Sequence, residues 1–109
     1  MTSKPTTDRA AIGRIIDGLI EAGCTPTVAR DCESEDLPYT DKASALDHLT
    51  SGDESVLFVD LPANDTSERE SSHIYFVLGN EPIEVAADHG VSLSPYLDPI
   101  IDPWWKEEN

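Results

Sequence analysis

The residues able to do chemistry in this chain of 109 residues are three histidines, two cysteines and a large excess of carboxylates. Neutral imidazole and thiolate are preferred zinc ligands, so His48, His73 and His89 with Cys24 or Cys32 raise the question of a metal site. Their spacing matches no zinc pattern. His73 opens a candidate strand and His89 stands beside Gly90, positions that ordinary surface or edge histidines occupy. Cys24 and Cys32 form no CxxC pair, and in a reducing compartment their separation predicts two free thiols rather than a bridge. Asp60, Asn64, Asp65 and Glu68 carry oxygen ligands, yet the D-x-[DN]-x-[DN]-G order of a calcium loop is missing. A small metal enzyme would have to draw on Asp60, Glu84 and His73, but Lys4, Lys42 and Lys106 do not stand close after these carboxylates, as the nearby lysine or histidine of metal-dependent nucleases does. The phosphate-binding patterns GxGxxG and GxxxxGK[ST] and the nucleophile elbow GxSxG do not occur. The expectation is a non-enzymatic protein with no catalytic residue, no metal ligand and no cofactor.

What remains is charge. The net charge of -15 is polarised along the chain: residues 1–30 hold four cations against three carboxylates, and residues 31–109 hold three against 19. A single-sign field of this size speeds encounter with basic surfaces and repels nucleic acid and anionic membranes. The densest groups are Asp31, Glu33, Glu35 and Asp36, then Asp53 and Glu54, then Asp65, Glu68 and Glu70. These are the candidate partner-binding residues, presenting carboxylates where a basic protein expects nucleic-acid phosphates. The competing reading is a solvated face that serves solubility or a salty environment. An adaptation to salt has no reason to spare the first 30 residues, so the asymmetry favours a functional surface. Trp104 and Trp105 complete the candidate set: neighbours in extended chain point oppositely, so both cannot face one core, and the pair either packs back with at least one indole capping the core or anchors a partner or a second copy. Seven basic residues and three scattered tyrosines leave no footprint of a direct nucleic-acid reader.

The elements that must position these groups follow from periodicity. From Thr7 to Gly23, Ile12, Ile15, Ile16, Leu19, Ile20 and Ala22 recur at helical steps, with Thr7 as the cap and Gly23 as the left-handed stop. Residues 27–32 read as a short strand entering an acidic loop over 31–38, after which Thr40 caps a second helix with Ala43, Leu46 and Leu49, ended by Gly52. The unbroken run Val56-Leu57-Phe58-Val59 predicts a central strand covered on both faces. Residues 63–71 form an exposed polar loop. A strand over 72–78, a turn at Gly79-Asn80 and a returning strand over 83–87 make a hairpin. The proline-punctuated end, with Ser94-Pro95 and Asp98-Pro99, predicts one or two short helical turns, and no internal repeat stands out. The predicted fold is α+β: a small, mostly antiparallel sheet of about four strands, two helices on one face and a short C-terminal helical segment, in one domain with residues 1–6 and 106–109 flexible. No apolar run approaches the roughly 20 residues of a bilayer span, and Met1 to Thr7 lacks a signal-peptide core, so a cytoplasmic protein is expected.

The hairpin residues Tyr75-Phe76-Val77-Leu78-Gly79-Asn80 and Ile83-Glu84-Val85-Ala86-Ala87-Asp88, followed by Leu93 and Pro95, resemble small proteins of unassigned role encoded by tailed phages and prophages. There, a strand ending in Gly-Asn runs into a second strand ending near an Asp and then a Leu/Pro-rich segment. The resemblance spans about a fifth of the chain, and His89 stands where an aromatic residue is expected. It implies a phage-related origin and offers no activity or site residues to carry over. Together the charge, the missing catalytic signatures and this resemblance predict an acidic module, phage-encoded and inhibitory, that occupies a basic surface of a host protein. The alternatives are an assembly module self-associating as a homodimer through the Trp pair or a sheet edge, and a protein whose charge serves solubility alone.

Overall fold

In the computed structural model, which describes residues 4–62 and 70–108, one five-stranded antiparallel sheet carries its helices on a single face. The elements run α1 (Asp8–Glu21), β1 (Thr25–Arg30), β2 (Asp36–Pro38), α2 (Lys42–Leu49), β3 (Glu54–Asp60), β4 (Ser71–Val77), β5 (Ala86–His89) and α3 (Ser94–Glu108), with 3₁₀ turns at Pro82–Glu84 and Val91–Leu93. The strand order is β2-β1-β3-β4-β5, and every pairing is antiparallel. The α+β class expected from the sequence is correct, with one strand and one full helix more than foreseen.

Helix α1 forms as its sequence dictates. The Thr7 hydroxyl accepts the backbone N–H of Ala10 at 3.0 Å, satisfying one orphan donor of the first turn. Gly23 ends the helix in the left-handed region at φ +97°. Between these caps Ile12, Ile15, Ile16 and Leu19 are fully buried against the sheet, each worth about 1.5–3 kcal/mol of transfer free energy. They meet Leu57 and Val59 of β3 and Ile74 and Phe76 of β4 in one continuous core.

Five expectations need correction. Asp41, not Thr40, caps α2, because its carboxylate accepts the Ser44 N–H at 2.7 Å, and that helix ends at Leu49, before Gly52. The acidic segment contains a strand, β2, whose three residues include a proline and so carry no visible strand pattern. β3 is central but covered on one face only: Ser55, Leu57 and Val59 are buried, whereas Val56 and Phe58 stay partly exposed. Residues 83–87 do not return as one strand, because Pro82 opens a 3₁₀ turn and pairing resumes only at Ala86.

The largest departure is α3. Its sequence repeats a four-residue unit, Ser-Pro-Tyr-Leu, Asp-Pro-Ile-Ile, Asp-Pro-Trp-Trp, which was not apparent as a repeat. A step of four keeps Pro95, Pro99 and Pro103 on the exposed side, so the carbonyls deprived of a donor face water. The opposite side carries Leu97, Ile100, Ile101 and Trp104 inward, and the helix packs on α1. Gly18 permits that approach, since a Cβ there would stand 2.6 Å from Ile100 Cδ1.

Candidate protein-binding surface

The acidic segments predicted from the sequence are not one patch. β1 and β2 form a hairpin whose tip stands beside the start of β3, because Arg30 pairs with Val56 and Cys32 packs directly over Gly52. Glu33, Glu35 and Asp36 are therefore neighbours of Asp53 and Glu54, all five exposed. Glu70 lies at the other end of the sheet, where Asp60 pairs with Ser71 and the Ser71 hydroxyl donates to Asp60 at 2.7 Å. The seven residues of β3 separate these ends by roughly 20 Å. Asp65 and Glu68 lie outside the described residues, as do Asn64 and most of the loop expected over 63–71.

Within the hairpin the carboxylates have different tasks. Asp31 shapes the turn: its Oδ1 accepts the backbone N–H groups of Glu33 at 3.0 Å and Glu35 at 2.9 Å, around Ser34 in the left-handed region at φ +63°. His48 Nε2 donates to the Glu35 carbonyl at 2.8 Å, which requires the proton on that nitrogen and anchors the tip to α2. Asp36 receives two bonds from the Arg30 guanidinium, at 2.6 and 3.1 Å, and this fork holds its carboxyl below the usual carboxylate range. Glu33, Glu35 and Asp53 are left as the carboxylates whose charge projects from this end.

The same register exposes a feature the sequence did not announce. The face of the sheet turned away from the helices has Val28, Val56, Phe58 and Tyr75 at its centre and Val77 at one end, all partly exposed. Arg30 lies over the Phe58 ring at 4.8 Å, a cation–π contact, while its charge is matched by Asp36. Tyr75 donates its hydroxyl to Glu54 at 2.6 Å, and this bond to a carboxylate raises the phenol's pKa. Glu54 and Asp60 close the two ends of β3, and Asp36 and Asp88 stand on the strands at the two edges. The alternation that marks such a face was hidden in β3, because its outward residues are apolar too.

The tryptophans part company. Trp104 is 1 % exposed, so it belongs to the core and cannot meet a partner; consecutive helical residues lie about 100° apart, which leaves Trp105 outward at 43 %. Trp105 borders a depression of about 400 Å³ with Val77, Asn80, Glu84, Ala86 and Ala87. The chain's cations gather elsewhere: Arg9, Arg14 and Lys42 line a groove of about 410 Å³ between α1 and α2, where Arg9 pairs with Asp47 at 2.7 Å and Lys42 with Asp17 at 2.9 Å. Asp60 and His73 share the outer face, but Glu84 sits in the 3₁₀ turn beyond the far end of β4, so the three are not brought together. Among the described residues no group of three or more His, Cys, Asp or Glu side chains could hold a metal ion, and no helix is long and apolar enough to cross a membrane. Both cysteines are free, Cys24 buried with its thiol pKa pushed up by desolvation and Cys32 exposed.

Fold and surface together define an α+β protein with helices on one side of an antiparallel sheet and an acid-rimmed, apolar face on the other. Comparison with known proteins returns no match: no family model, no curated protein and no solved structure aligns significantly with the chain.

Proposed function

We propose that this protein is a non-enzymatic acidic binding module that occupies a basic surface of another protein, as a phage-encoded inhibitor of a host defence or nucleic-acid-binding system would. The observation that carries the reading is the gathering of the exposed carboxylates Glu33, Glu35 and Asp53, with Glu54 beside them, at one end of the sheet, from two segments separated in sequence. Exposed carboxylates held on a folded hairpin present fixed negative charge at low entropic cost, as a nucleic-acid backbone does to its binding groove. Affinity capture from the native host, followed by a salt titration, tests it. The expected result is a basic partner released steeply as ionic strength rises and competed off by nucleic acid. Failure to recover a basic partner, or affinity indifferent to salt, removes the reading.

A second reading, self-association, is favoured by Trp105, which stands outward beside β5, an edge strand paired on one side only. Sedimentation analysis at rising protein concentration decides it. A monomer throughout counts against it, and a dimer abolished by Trp105→Ala supports it.

A further inference from the structure

We infer that the outer face of the sheet is a docking site for a cationic amphipathic helix of the partner protein; the inference rests on the reading above that the partner is basic. The inner face shows what such a sheet accepts. α1 and α2 cover it with aliphatic side chains, and a helix on the outer face would complete a three-layer sandwich.

The outer face has the dimensions for it. Five strands at about 4.8 Å spacing span roughly 19 Å, and β3 runs about 20 Å, enough for a helix about 10 Å across and about 13 residues long. Its centre is formed by Val56, Phe58 and Tyr75 with Val28 beside them, and the exposed His73 stands opposite Phe58. Its perimeter is acidic: Glu54 and Asp60 at the two ends of β3, Asp36 and Asp88 at the edges. One cation, Arg30, sits within, but Asp36 neutralises it and its guanidinium lies flat over Phe58. With Asp36 and Arg30 matched to each other, Glu54, Asp60 and Asp88 leave the rim complementary to lysines and arginines flanking an apolar stripe.

The same pattern disfavours the other occupants of an aromatic sheet face. Single-stranded nucleic acid would stack on Phe58 and Tyr75, but its phosphates would meet the acidic rim. A second copy would set two such rims against each other, in molecules that each carry -15.

The test uses two synthetic helical peptides of about 18 residues, one with leucines on one face and lysines flanking them, the other with the same lysines but serines for leucines. Each is titrated into isotope-labelled protein at about 150 mM NaCl and followed by backbone amide shifts. The leucine peptide is expected to bind at least about tenfold more tightly, with the largest shifts at Val28, Val56, Phe58 and Tyr75. Phe58→Ser and Val56→Ser, neither of which changes charge, should each weaken it about fivefold or more. Should Phe58→Ser fail to fold, as a thermal melt would show, Val56→Ser carries the decision. Equal binding of both peptides, with shifts confined to residues 33–36, 53 and 54, overturns the docking site and leaves the basic-surface reading standing. Binding of neither peptide at any salt concentration overturns both. A dimer of the protein alone that Val56→Ser dissolves assigns the face to a second copy and overturns the proposal.

Discussion

Single residues in this chain divide by whether their partner is near in sequence. Thr7 and Asp41 each accept an N–H three residues on. Thr7→Ala should cost about 1 kcal/mol in urea unfolding. Asp41→Ala should lower the midpoint as well, and by more than Thr40→Ala, whose side chain only supports the Asp41 carboxylate by a hydrogen bond; that order separates the observed cap of α2 from the one its neighbour would supply. The Tyr75–Glu54 bond joins β4 to β3 and has a pH signature. Tyr75 holds its proton more tightly when folded, so the bond's contribution is complete below the ordinary tyrosine value of about 10 and lost as pH rises through the folded value. Glu54→Gln should bring the Tyr75 ring resonance, followed by NMR, back toward that ordinary value. Tyr39, whose phenol is raised chiefly by burial, should not move. Thr7 was legible from the sequence because a cap needs only local spacing. The Tyr75 bond was not, because 21 residues separate its partners.

At the scale of elements, α1 was legible almost to its ends, since four aliphatic residues at helical steps lie between a capping hydroxyl and a glycine. α3 was not. Its prolines forbid a helix by propensity, at about 3 kcal/mol each in an interior, and only their alignment on the solvent side, with Trp104 buried below, makes 15 residues of helix tenable. Trp104→Ala should therefore destabilise by about 3–5 kcal/mol in denaturant unfolding, whereas Trp105→Ala should change stability by less than about 1 kcal/mol. Equal effects would show that α3 does not seat on the core as described. β2 escaped notice for the reverse reason: three residues with a proline have no pattern, and register against β1 alone defines them.

Over the whole molecule the acidic excess acts twice, on stability and on binding. Self-repulsion opposes the compact state, so the melting temperature should rise by several degrees between about 10 and 500 mM NaCl, as screening relieves it. Over the same range capture of a basic partner should weaken. A melting temperature that falls with salt would mean that ion pairs such as Lys42–Asp17 and Arg30–Asp36 outweigh the repulsion.

The sequence by itself determined the charge, its confinement to residues 31–109, the first helix and the α+β class with a mostly antiparallel sheet, because composition and short-range periodicity suffice for these. Tertiary structure alone decided which carboxylates are neighbours, which tryptophan is outward and which side of the sheet stays uncovered. Those depend on strand order and on helices packing against one face. An apolar run such as Val56 to Val59 reads the same whether one side or both will be covered.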